Sequence, residues 1–192
     1  MKKLNLLFAS ITLGLALQAQ VAKNVACTAG TLSTLLDSAA RSTITNLTIT
    51  GTMDFRDFNV MNYGKMPQLN SLDISAVTIV EYTDNGTTYN ANVLPEFGLS
   101  NSTIATVKLP NSISVIDNYA LNGCANLTSI TIPVSVKTIG EFSFNNCLLL
   151  TTITIPSTVN RVNNYAFNDC PELTTATLSK GIEFVGNGAF YN

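Results

Sequence analysis

An interval of 23 residues recurs throughout the second half of this chain. Three prolines lie 23 residues apart, three cysteines keep the same interval, and three columns of apolar side chains repeat with them. The aligned positions are Pro110, Pro133 and Pro156; Cys124, Cys147 and Cys170; Leu121, Phe144, Phe167 and Phe190; Ile116, Ile139, Val162 and Val185; and Ile113, Val136, Val159 and Ile182. Because independent columns share one period within the range of roughly 20–50 residues typical of stacked repeats, the sequence predicts a solenoid.

Each repeat contains a short strand in which buried and exposed positions alternate. Val107 and Leu109 are predicted to point into the core, whereas Thr106 and Lys108 point outward. This period of two, with many β-branched residues, is typical of a half-buried strand. Weaker copies occur at Ile44-x-x-Leu47-x-Ile49 and Leu69-x-x-Leu72-x-Ile74. We therefore predict a β-rich solenoid of about six coils over residues 44–192, with an insertion at about 79–99.

The residues before the array are predicted to cover its open end. Residues 20–43 form this N-terminal cap, with a helix at about 31–41. Its apolar residues fall on one helical face, and they are Leu32, Leu35, Leu36, Ala39 and Ala40. A solenoid exposes its core at each end unless another element covers it, so the position of this helix suits capping.

Residues 1–19 have the pattern of a secretory signal peptide. Two lysines, Lys2 and Lys3, precede an apolar run from Leu4 to Leu17, and small residues surround a cleavage site after Ala19. The run is shorter than the roughly 20 apolar residues of a membrane-spanning helix, and no second run follows, so the mature chain is expected to have no transmembrane segment. These features predict a secreted or cell-surface protein; a buried N-terminal helix is the alternative.

Composition argues against several classes of function. Among 192 residues, only 11% are charged, the formal net charge is −2, and there is no His. A nucleic-acid-binding protein would need a basic face, so nucleic acid is not an expected partner. The absence of imidazole removes the commonest general base and metal ligand. We expect no cofactor, no metal site and no enzymatic activity.

The repeat resembles those of a known family. Leu127-Thr128-Ser129-Ile130-Thr131-Ile132-Pro133, followed by Val136, Ile139-Gly140, Phe144 and Cys147, resembles the 23-residue leucine-rich repeat of the BspA-like bacterial surface proteins. This resemblance implies an exported or surface-displayed protein, and some members are implicated in adhesion to host matrix proteins. The family has no catalytic residues that could be transferred to this chain.

Two reactive residue types have structural interpretations. Cys124, Cys147 and Cys170 stack in one column, where we expect buried thiols; a disulfide between neighbours is the alternative. Catalysis by cysteine is not expected without a histidine to activate the thiol. Asp54 and Asp57 are interpreted as residues of a solvated turn rather than as a catalytic pair.

The candidate binding surface is the polar face of the predicted sheet. Its outward residues are Thr106, Lys108, Ser129, Thr131, Thr152, Thr154, Thr175 and Thr177. Tyr82 and Tyr89 in the insertion are candidate aromatic anchors. We expect host or matrix proteins or glycoproteins as partners. The alternatives are self-association through open ends of the array and a surface glycan-binding role.

Overall fold

The computed structural model describes residues 20–192, so the predicted signal peptide lies outside the described residues. The elements in chain order are β1 (Ala22–Cys27), α1 (Leu32–Leu35), α2 (Ser38–Thr43), β2 (Asn46–Met53), α3 (Phe55–Phe58), β3 (Ser71–Ile79), β4 (Tyr82–Asp84), β5 (Thr87–Tyr89), β6 (Val93–Leu94), β7 (Thr106–Lys108), β8 (Val115–Ile116), β9 (Ser129–Ile130), β10 (Thr138–Ile139), β11 (Thr152–Ile155), β12 (Arg161–Val162), β13 (Thr175–Leu178) and β14 (Phe184–Val185). Short strands that recur at a constant interval confirm the predicted solenoid.

The strands of the first face are parallel, and they form seven rows. Five are hydrogen-bonded in the order β1-β2-β3-β7-β9, and β11 pairs with β13. The sequence predicted six rows, and β1 is the additional one, pairing with β2 in the register Ala22↔Asn46. The residues of β1 lack the apolar pattern of the repeats, and only Val25 and Cys27 among them are buried. Because β1 is an edge strand and buries few side chains, it does not have the alternating apolar pattern from which the other strands were predicted.

A second parallel sheet lines the opposite side of the coils. Its order is β14-β12-β10-β8-β6, and each strand has only two residues. The second residue of each inner pair, such as Ile116, Ile139 and Val162, is fully buried. These are the apolar columns that defined the period, so the two faces and the core between them follow directly from the repeat.

Identical side chains stack on one another within the core. The rings of Phe144 and Phe167 lie 4.8 Å apart, centroid to centroid, and those of Phe167 and Phe190 lie 5.2 Å apart. Coils also approach closely at Gly140, where an added Cβ would lie 2.5 Å from the carbonyl carbon of Asp117. A side chain at that position would push two coils apart, so glycine is required by packing.

The predicted cap helix over residues 31–41 is corrected to two short helices. Leu36 leaves helical geometry between α1 and α2, with φ −126° and ψ 96°, and is fully buried. Asp37 then caps α2, because its side chain accepts a hydrogen bond from the Ala40 N–H at 2.7 Å. A local cap and the burial of one leucine outweigh the helical periodicity of the segment.

The insertion predicted at about residues 79–99 is shorter in the structure, and it contains secondary structure. Ile79 is the last residue of β3, and Val93 already begins the second sheet. Between them, β4 and β5 form an antiparallel hairpin. Its turn has Asn85 at φ 46° and Gly86 at φ 82°, the conformation in which an Asn-Gly pair is favoured.

Candidate interaction surface

The eight predicted outward residues of the first face are all exposed, from Thr106 to Thr177. Parallel pairing places Thr106 beside Ser129 and Thr152 beside Thr175. The only charged member, Lys108, donates to Asp73 at 2.9 Å between Nζ and Oδ2. The face therefore presents hydroxyl groups with one neutralised positive charge.

Asp73 is held in its ionised form by its neighbours. The Ser75 hydroxyl donates to its Oδ1 at 2.6 Å, and the Ser75 N–H donates to the same atom at 3.0 Å. These hydrogen bonds, with the ammonium of Lys108, lower the pKa of Asp73 below its ordinary value. The charge pair at this edge of the face is exposed to solvent, so we assign it little stability.

A groove crosses the first face where the backbone ladder is interrupted. Among the described residues, β9 and β11 are not paired with each other, although the Thr151 N–H donates to Thr128 O at 3.4 Å just before these strands. A groove of about 490 Å³ opens between these rows. Its lining is uncharged and consists of Ser129, Ile130, Thr131, Ile132, Val134, Thr152, Thr154 and Pro156. Four of the predicted binding residues therefore lie together on one concave surface, beside the 71% exposed Val134.

A ladder of stacked aromatic rings runs along the turn edge of the solenoid. Centroids are 4.9 Å apart for Phe97–Tyr119, 5.2 Å for Tyr119–Phe142 and 5.0 Å for Phe142–Tyr165. All four residues have positive φ, between 52° and 55°. Bulky residues rarely adopt this conformation, so the ring stacking holds a backbone geometry that normally favours glycine. This surface was not predicted from the sequence, although three of these rings follow the 23-residue period.

The two predicted aromatic anchors of the insertion pack against α3. The Tyr89 ring stacks on Phe55 at 3.7 Å, centroid to centroid, and the Arg56 guanidinium lies 4.2 Å from the centre of the Tyr82 ring. Both tyrosines are half-buried. These contacts fix the hairpin on the solenoid, and one face of each ring is already occupied.

Comparison with protein families identifies the repeats. The family model of the BspA type leucine rich repeat region, with six copies, matches residues 92–192. The chain belongs to the BspA-type leucine-rich-repeat family. No curated protein matches the chain.

Two solved bacterial structures share the BspA-type chain's fold. A leucine-rich repeat protein from Bacteroides ovatus is 23% identical, with a TM-score of 0.55, over 75% of this chain and 32% of its own. The T. pallidum leucine-rich repeat protein is 20% identical, with a TM-score of 0.50, over 77% of this chain and 71% of its own. The chain thus spans about a third of the length of the Bacteroides protein.

Membership of the BspA-type family supports a protein-interaction repeat module, and this repeat fold is typically non-enzymatic. Within residues 20–192, no group of three or more His, Cys, Asp or Glu side chains could hold a metal ion. None of the helices in that range is long and apolar enough to cross a membrane.

The cysteines of the BspA-type repeats are buried thiols in the structure. Each thiol of the column donates to a carbonyl oxygen, at 3.1 Å from Cys124 Sγ to Leu99 O and 3.2 Å from Cys170 Sγ to Phe144 O. Burial raises the pKa of Cys124 to about 11. The neighbouring Cys170 thiol, together with burial, raises the pKa of Cys147. Cys124 and Cys147 therefore resist ionisation and are poor nucleophiles, whereas the interaction with Cys147 lowers the pKa of the buried Cys170.

Asp54 and Asp57 are buried, which corrects their interpretation as solvated turn residues. Asp57 Oδ2 accepts from the N–H groups of Gly30 and Asp54 at 2.7 and 2.9 Å, and its Oδ1 accepts from Leu32 N–H at 2.9 Å. Asp54 forms an ion pair with Arg56. The Asp57 carboxylate thus attaches the N-terminal cap to α3, whereas Asp54 caps α3 and pairs with Arg56 two residues away. The sequence spacing alone did not reveal the long-range partners of Asp57.

Proposed function

We propose that this chain is a secreted or cell-surface adhesion module that binds host or matrix proteins through the first face of its solenoid. The observation that carries the proposal is the uncharged groove between β9 and β11. It combines exposed hydroxyl groups with apolar side chains, and the strands on its two sides are not paired with each other, unlike the other neighbouring rows of this face. A polypeptide or glycoprotein surface offers donors and acceptors for such a groove.

Rigidity of the scaffold favours binding through many weak contacts. The coils are tied together by stacked side chains and by backbone hydrogen bonds at both edges, so the face is largely preorganised. Preorganisation reduces the ordering entropy lost on association. The N-terminal pattern of residues 1–19 supports export, which would place this face outside the cell.

The test compares the full chain with a variant carrying Thr131→Lys and Thr154→Lys. Both positions are exposed in the groove, so the substitutions change the binding face and leave the core intact. A control variant carries Asn160→Lys and Asn187→Lys, which add the same charge at exposed positions outside the first face. Circular dichroism confirms folding, and retention on a panel of immobilised matrix glycoproteins is then measured.

We expect the immobilised glycoproteins to retain the parent and the control variant, and the groove variant to pass through the column without retention. Equal retention of all three proteins would move the binding site away from the first face. Absence of retention for all three at micromolar protein would contradict the adhesion proposal.

A second candidate function, self-association, is favoured by the surface of the last coil. Leu178 and Val185 are 44% and 48% exposed, whereas the equivalent residues of the preceding coil, Ile155 and Val162, are fully buried. A second copy stacked on this coil would cover them. Sedimentation velocity should show concentration-dependent association that Val185→Lys abolishes, and a monomer at all concentrations would exclude this candidate.

A further inference from the structure

A separate cleft lies between the insertion hairpin and the start of the second sheet. It has a volume of about 380 Å³. Its apolar walls come from Ile79 and Val80 at the end of β3 and from Val93 and Val115 on the second sheet, and the Tyr89 ring lies beside them. The hairpin is fixed by the Tyr89–Phe55 stack, so the cleft has a defined shape.

The charged groups that line this cleft are both negative. They are Glu96 and Asp117, which follow β6 and β8 on neighbouring coils. Asp117 Oδ1 accepts a hydrogen bond from the Asn118 N–H at 2.8 Å. The ion pairs of residues 20–192 are Arg56–Asp54 and Lys108–Asp73, so neither cleft carboxylate has an ion-pair partner there.

The charge and shape of the cleft select a particular ligand class. Two carboxylates without an ion-pair partner, that of the exposed Glu96 and that of the half-buried Asp117, give the cleft a negative potential beside its apolar walls. A divalent metal such as Ca²⁺ takes six or more oxygen ligands, which aliphatic walls do not supply. An arginine or lysine side chain fits better, because its methylene groups pack on the aliphatic walls and its cationic head donates to the carboxylates.

We propose that this cleft binds a basic side chain, arginine or lysine, on a partner polypeptide. Thr87, Thr88 and Asn90 complete the lining on the hairpin side. The inference rests on the proposed function in that the ligand belongs to a protein partner. It concerns a different surface from the groove of the first face, and it assigns that partner a positive charge.

The test is a titration of the ¹⁵N-labelled full chain with short capped peptides, followed by NMR. One peptide has a central arginine between glycines, and the second replaces arginine with citrulline, its neutral isostere. We expect the arginine peptide to give saturable shifts confined to residues 87–96 and 115–117, and salt to weaken them. The citrulline peptide should bind about tenfold more weakly, which corresponds to the loss of one ion pair.

Variants connect the binding to the two carboxylates. Glu96→Gln with Asp117→Asn should reduce affinity for the arginine peptide about tenfold or more. Glu141→Gln is the matched control, because Glu141 occupies the column of Glu96 two coils further on and does not line the cleft. Its affinity should match that of the parent.

Several results would overturn the proposal. They are equal affinity for the arginine and citrulline peptides, shifts located elsewhere, unchanged affinity in the double variant, and absence of saturable shifts at millimolar peptide. The result is separable from the adhesion test, since Thr131→Lys with Thr154→Lys should abolish retention on glycoproteins and leave binding of the arginine peptide unchanged.

Discussion

Asp57→Asn should detach the N-terminal cap from the solenoid. The Asp57 carboxylate is 1% exposed and accepts three backbone N–H groups, which an asparagine with one carbonyl oxygen cannot satisfy. In its most favourable orientation, the asparagine side chain places its carbonyl oxygen where Oδ2 was and keeps the hydrogen bonds from the Gly30 and Asp54 N–H groups. Its NH₂ group then faces the Leu32 N–H, which is left without an acceptor. A buried donor without an acceptor costs about 1–3 kcal/mol, and each retained bond loses about 0.5–1 kcal/mol of charge assistance. The sum is about 3 kcal/mol.

Hydrogen exchange of individual amides is the suitable assay, because the cap can open without unfolding of the repeats. A loss of about 3 kcal/mol corresponds to roughly a hundredfold faster exchange at Leu32. Amides of the core repeats, such as Ile139, should keep their protection.

The control is Asp37→Asn, the same substitution at an exposed helix cap. Asparagine caps helices about as well as aspartate, so the change should be a few tenths of a kcal/mol. If Leu32 exchanged at the parental rate in Asp57→Asn, the carboxylate would not be what attaches the cap, and the reasoning would be wrong.

Three further predictions concern the stacked columns. Phe167→Ala should lower the free energy of unfolding by about 4 kcal/mol, and Phe190→Ala should lower it by about half as much because Phe190 is only partly buried. Urea denaturation measures both losses, and equal losses would contradict the stacking argument. At position 142, with φ 52°, Phe142→Gly should be about 1 kcal/mol more stable than Phe142→Ala in the same assay, whereas the reverse order would mean that the backbone is not left-handed. Because the pKa of Cys124 is raised from 9.0 to about 11, the contribution of the buried thiol to stability is fully present below pH 9 and is lost as the pH rises toward 11. The midpoint of urea denaturation should therefore fall less steeply across this pH interval in Cys124→Ala than in the parent. Parallel plots of midpoint against pH for the two proteins would exclude the effect.

The repeat predicted the fold because its signals are local and periodic. Ile116 and Phe144 recur at a fixed interval, and their equivalents Ile139, Val162 and Phe167 are fully buried like them. The strand β1 was missed because an edge strand buries few side chains, and the break in the cap helix was missed because Asp37 competes with helical periodicity through one hydrogen bond.

The candidate site was predicted only in part. The exposure of residues such as Thr131 and Thr154 follows from strand alternation, but the groove depends on an interruption between two rows with the same Ile-Thr-Ile pattern. The partners of Asp57 lie 25 and 27 residues away in sequence, a distance at which spacing carries no signal.

Hydrogen exchange of the free and bound protein tests whether the groove between β9 and β11 is the binding surface. A matrix glycoprotein that retains the full chain is added, and exchange is compared at residues 129–132 and 152–155, which face each other across the groove. We expect bound glycoprotein to slow exchange at both segments and to leave exchange in the second sheet unchanged. Unchanged exchange at both segments, with new protection at the aromatic ladder or the hairpin, would contradict it.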